Sequence, residues 1–199
     1  MLVAWIVIMA FVAALFWFNE DTVDMDLASI LRPVATPLKS FELTDQFGDP
    51  FVLDNLDGKW SFVFFGYTYC PDICPATLTI LSSLARDLES RGLGKDNFQM
   101  VFVSVDPERD SVEQIRKYLA FFGDRYIGVT AEPDELLAFA KQFGAMFEKQ
   151  GDSSSDAYYM AHTSSIFLVS PKTELVAAFS PPHDYKTISS LFLKYIEWR

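Results

Sequence analysis

The sequence predicts an α/β fold, a central mixed sheet flanked by helices, with a hairpin extension before it and a single apolar span at the N-terminus. Three observations carry this. Aromatic and β-branched runs alternate with amphipathic helical stretches through most of the chain, the pattern that builds a twisted, covered sheet. The two cysteines, Cys70 and Cys74, fall where the first central strand turns into a helix. The chain closes with two strands joined by a short turn and then a last helix.

The first 18 residues, MLVAWIVIMAFVAALFWF, carry no charge. That is about the shortest run that spans a hydrocarbon core, and Trp5 at one end with Phe16, Trp17 and Phe18 at the other suits interfacial aromatic belts. A cleaved signal peptide favours a basic start and a small-x-small site, so this bulky end reads as an uncleaved transmembrane helix over residues 1–18. A helix on a soluble core would show a polar stripe, and this run has none.

Net charge is -11 and the first charged residue is Glu20, so the acidic balance belongs to the remainder. Such a surface excludes nucleic acid as a partner and argues against docking on anionic lipid by charge. The flank NEDTVDMDLASI has no Lys or Arg to retain it in the cytoplasm, which places the domain on the periplasmic side of the inner membrane. Residues 19–40, acidic and then broken by Pro33 and Pro37, read as a tether, leaving residues 41–199 as the folded domain.

Within that domain, turn residues Gln46–Pro50 and Asp57–Gly58 between short apolar runs predict a hairpin. SFVFFG, residues 61–66, is a buried central strand. Pro71 and Pro75 disfavour α geometry at each preceding cysteine, and Pro75 suits the first position of the helix ATLTILSSLARDLES. Gly92 and Gly94 end that helix, and NFQMVFVSVD is a second buried strand. A helix capped by Ser111 and closed at Gly123, a strand at RYIGVTA, and a helix opened by Pro133 follow. EKQGDSSSDAYYMAH is loop-like up to Tyr158 and then enters a strand ending at His162. TSSIFLVS and ELVAAFS form the closing hairpin, and DYKTISSLFLKYIEWR the closing helix.

Two thiols separated by three residues form a disulfide, grip a soft metal, or act as a redox pair. From residue 61 to 84 the only charged side chain is Asp72, so apart from the helix end nothing local promotes a free thiolate. A bound cation deprotonates a coordinating thiol outright, and the balance leans towards metal. FFGYTYCPDICPATL, together with SVDPERDS at residues 104–111 and the late His162, resembles the copper-site signature of the Sco (SenC) family.

The resemblance covers the chain from about Thr44 to the end. It implies a thioredoxin-like fold, an order of elements that the chain satisfies. It implies a copper ion, cuprous or cupric, held by Cys70, Cys74 and His162, and a role as a chaperone assembling the CuA centre on subunit II of cytochrome c oxidase. A copper donor protein and a thiol reductase are the further partners it implies. Two sulfurs and one nitrogen suit copper, while zinc accepts the same donors.

Other residues carry alternatives. Asp106 is either a supporting partner of the metal or a turn-forming Asp before Pro107. Arg109 and Asp110 either form an ion pair or lie in a solvated loop. His183 reads as a cap or surface residue, and Met160, two residues before His162, as a thioether ligand or core filler. Relatives commonly carry Asp immediately before the site histidine, where this chain has Ala161, which removes a carboxylate that would orient the ring. A serine-rich loop before His162 predicts a ligand able to swing. Two other functions remain open: a thiol–disulfide oxidoreductase using Cys70 and Cys74 on the acceptor's cysteines, and a redox or copper sensor.

Overall fold

The computed structural model describes residues 25–151 and 158–198. The span expected over residues 1–18 lies outside these, as does the start of the expected tether. Among the described residues no helix is long and apolar enough to cross a membrane.

An eight-stranded mixed sheet organises the domain. Its strands are β1 (Leu31–Pro37), β2 (Glu42–Asp45), β3 (Pro50–Val52), β4 (Trp60–Gly66), β5 (Phe98–Ser104), β6 (Tyr126–Thr130), β9 (Ile166–Val169) and β10 (Glu174–Phe179), in the order β1-β10-β9-β4-β5-β6-β2-β3. The two remaining strands, β7 (Phe147–Gly151) and β8 (Tyr158–His162), pair only with each other. Among the described residues only β4–β5 and β5–β6 are parallel. The helices are α1 (Met25–Ala28), α2 (Ile73–Ser90), α3 (Val112–Leu119), α4 (Pro133–Phe143) and α5 (Tyr185–Trp198).

β4 is buried over its last six residues, because it sits mid-sheet with both faces covered and so reads as a continuous apolar run. On one face Phe62 meets Phe192 of α5, and Phe102 of β5 meets Tyr118. On the other, Phe65 packs against Phe139 and Phe143 of α4. A Cβ at Gly128 of β6 would collide with Ile115 and Leu119, so only glycine allows α3 to lie this close to the sheet.

The hairpin extension is β2–β3, added to the β6 edge. Pro133 opens α4 and Gly144, at φ 69°, ends it, the asymmetry expected of a helix start and stop. Ser111 caps α3 by accepting from the Gln114 amide.

Three expectations need correction. From Met25 onward the supposed tether is a short helix followed by β1, which pairs with β10 and is tied down by Arg32 donating to the Phe143 carbonyl at 2.5 Å. Its prolines are tolerated because β1 is an edge strand with one side unpaired. Residues 148–151, expected as loop, belong with Phe147 to β7. Helix α2 starts at Ile73, which puts Pro75 at its third position and Cys74 inside its first turn; no partner is lost, since first-turn amides have none within the helix.

Candidate metal centre

Cys70, Cys74 and His162 offer donor atoms that all lie within 4.8 Å of one another. Three pieces of chain bring them together. β4 delivers the loop from Tyr67, and its last residue, Gly66, makes room: a Cβ there would stand 3.0 Å from the Cys74 sulfur and 2.9 Å from Phe102. Helix α2 places Cys74 in its first turn, fully buried. Strand β8 ends on His162, with Phe147 opposite it in register.

Both cysteines are free thiols. The Asp72 side chain at the start of α2 makes no capping hydrogen bond. The Cys74 amide donates instead to the Cys70 sulfur at 3.4 Å, which sets the more exposed sulfur at the positive end of the helix. Hydrogen bonding from the Cys74 thiol, then from His162 and the Cys74 amide, pushes the Cys70 thiol down to about 3 against its partial burial. Cys74, giving its proton to that bond and buried, is pushed up. The hydrogen bond between the two thiols thus favours negative charge on Cys70 over Cys74. Sequence reasoning found only the helix end as a promoter of thiolate; the stronger one is the second cysteine.

His162 Nε2 lies 3.6 Å from the Cys74 sulfur, and Nδ1 lies 3.1 Å from the Thr163 carbonyl. A proton on Nε2 supports the Cys70 thiolate in the metal-free site, whereas the tautomer that donates Nδ1–H to this carbonyl would turn the Nε2 lone pair towards an ion held by the sulfurs. The rings of Phe64 and Tyr67 stand edge-on to the imidazole, at 6.1 and 5.9 Å. Beside the donors opens a cleft of about 380 Å³, lined by Tyr67, Cys70, Asp72, Ile73, Met160 and His162 among others. This donor set, soft sulfurs with an imidazole and an open side, fits a soft or borderline metal ion.

The other candidates fall elsewhere. Asp106 does not join the donor group; its carboxylate accepts the Tyr158 hydroxyl at 2.7 Å and pairs with Arg109 at 2.6 Å. Asp110 has its own hydrogen-bond partners. It is fully buried and accepts from Ser104 Oγ and Thr68 Oγ1, each at 2.6 Å, and from the Thr68 amide at 2.9 Å. Burial raises its carboxyl above the usual range.

Met160 shares the inward face of β8 with Tyr158 and His162 and is half-buried against the core. Ala161 points the other way and is exposed. His183 lies within 2.8 Å of the Ser164 carbonyl, just beyond the site histidine, while Asp184 caps α5 through the Thr187 amide. The expected swinging loop is in its described part a paired hairpin, with residues 152–157 outside the described set.

Comparison with known proteins agrees with this geometry. The SCO1/SenC family model matches residues 32–197. A mitochondrial SCO1 homolog 1 of Arabidopsis thaliana is 37% identical over 142 residues, 71% of this chain and 42% of that protein. A putative copper-binding protein of Stutzerimonas stutzeri is 33% identical over 152 residues, 76% of this chain and 73% of that protein. The crystal structure of Arabidopsis thaliana ScoI with copper bound superposes with a TM-score of 0.75 at 32% identity, covering 81% of this chain and 98% of that one. The match thus spans less than half the length of the first plant relative, yet nearly all of the plant chain whose structure is known. With a family match over residues 32–197, this chain belongs to the SCO1/SenC family.

Proposed function

We propose that the protein binds copper through Cys70, Cys74 and His162 and assists assembly of the CuA centre of cytochrome c oxidase. The observation that carries the reading is the convergence of three donor atoms within 4.8 Å at the edge of an open cleft. Copper is cargo here. Two sulfurs and a nitrogen hold it firmly, while the open side leaves room for an acceptor's own ligands to approach. The chain's residues do three things. Cys70 supplies a thiolate at neutral pH, Cys74 loses its proton to the metal, and His162 adds a neutral donor oriented by Thr163.

The proposal includes anchoring by residues 1–18, with the domain on the periplasmic side of the inner membrane, and delivery to subunit II or another copper enzyme. It is supported by the uncharged N-terminal run and the acidic remainder.

One observation favours a second reading. A thiolate paired with a buried thiol is also the resting state of a dithiol reductant, so reduction of the acceptor's copper-site cysteines is the alternative function.

Metal analysis of the reduced full-length chain after adding cupric ion decides between them. One copper per chain, a thiolate-to-copper absorption band, and no reduction of insulin by the wild type support delivery. Efficient insulin reduction, with copper bound no better than by His162→Ala, supports the reductase.

A further inference from the structure

The sulfur and nitrogen donors arrive on separate pieces of chain, and one short segment, residues 106–110, touches both. Towards the cysteines, Asp110 grips Thr68 by its amide and its hydroxyl, two residues before Cys70. Towards the histidine, Asp106 accepts the Tyr158 hydroxyl. Between them Arg109 pairs with Asp106, lies 3.5 Å over the Tyr158 ring, donates to the Tyr158 carbonyl at 3.2 Å, and stands 5.0 Å from the ring of Tyr69. Lys149 of β7 adds a second grip, 3.8 Å from the Tyr158 ring centre and 2.7 Å from Glu108.

The hairpin needs such a grip. Among the described residues β7 and β8 make no ladder with the main sheet, so no backbone register there ties them to the strand that delivers the cysteines. Only Tyr158 is fully buried among the five residues of β8. Tyr158 and His162 lie on one face of that short strand, so displacement of the tyrosine end moves the imidazole end. Cation–aromatic contacts and hydrogen bonds to a desolvated carboxylate are the stronger members of their classes.

We propose that Asp106, Arg109 and Tyr158 form a latch that positions His162 over the sulfurs, while Asp110 positions the cysteine loop, so that residues 106–110 set the spacing of the whole donor set. This rests on the copper reading above. None of the three latch residues touches the metal; they act through His162. Partners behind a metal ligand typically change affinity by about 10–100-fold, which sets the size of the expected effect.

The test is a double-mutant cycle in the full-length chain, read by cupric-ion affinity and by nitrogen coupling in the electron paramagnetic resonance spectrum. Tyr158→Phe keeps the ring beside Arg109 and removes only the hydroxyl from Asp106. It lowers cupric affinity at least about tenfold and weakens the nitrogen coupling, with the sulfur band retained. In a His162→Ala background the same change costs nothing further, because both act through one ligand. Arg109→Lys keeps the charge, loses the planar contact, and gives the same pattern; it decides the matter should Tyr158→Phe not fold, which the melting curve of the metal-free chain reports. Wild-type affinity and spectrum in the folded variants, or an additive cycle, overturns the latch. A wild-type chain that takes up no copper overturns the copper reading and the latch with it.

Discussion

The imidazole of His162 and the sulfur of Cys74, 88 positions apart in the chain, stand 3.6 Å from each other. Neither belongs to a loop. One ends a β-strand and the other sits in the first turn of a helix, so both donors are carried by regular structure.

His162→Ala leaves the two sulfurs in place and removes the nitrogen. Cupric affinity falls by more than the roughly 100-fold upper range for loss of a partner behind a ligand, and the thiolate-to-copper band shifts. Competition against a copper chelator followed by absorbance checks both, and unchanged affinity removes His162 from the donor set.

The Cys70 thiol is pushed down to about 3 while Cys74 is pushed up. Because a lowered value keeps the charged form present until the pH drops to it, the metal-free reduced protein carries a reactive Cys70 across pH 5–8. Iodoacetamide at pH 5.5 labels Cys70 ahead of Cys74, as mapped by mass spectrometry; equal labelling would contradict the preference for charge on Cys70.

Gly66→Ala drives a methyl group against the Cys74 sulfur, Phe102 and Phe64, the last at 3.1 Å. Overpacking of this kind costs about 1–3 kcal/mol. The variant melts at lower temperature, and copper binding weakens more than in a control such as Gly94→Ala, where nothing closer than 3.8 Å is met.

Because β1 is part of the sheet, removing residues 1–37 uncovers the edge of β10 and discards the Arg32 bond to Phe143. Removing residues 1–24 touches no described element. The longer deletion costs about 3 kcal/mol or more, about 10 °C in melting temperature for a domain of this size, and scanning calorimetry separates the two.

Much of the site was legible because its signals are local. Cys70 and Cys74 announce themselves by spacing and flanking prolines, and β4 and β5 by apolar runs that only central strands carry. Gly144 marks a helix end by the backbone it must adopt. What escaped was long-range. Nothing around Asp106 names Tyr158, 52 residues away, as its partner. β7 was missed because a hairpin exposed on one side spells itself FEKQG, with the polarity of a loop, and β1 because Pro33 and Pro37 suggest a linker until an edge position is known.

The strand order has a practical corollary. β1 runs opposite to β4, and just before it Ile30 accepts from the Ala178 amide, level with Val63 in the middle of β4. Ahead of β1, α1 packs against α5, with Asp26 and Ser29 beside Lys186, Ser190 and Lys194. The final helix runs towards the other end of β4, with Tyr195 edge-on to Trp60 at the start of that strand and Trp198 beyond it. A protein immobilised through the Trp198 end of α5 is held at the start of β4, and the cleft beside Cys70 and His162, at the other end of that strand, stays open to a metal donor or acceptor.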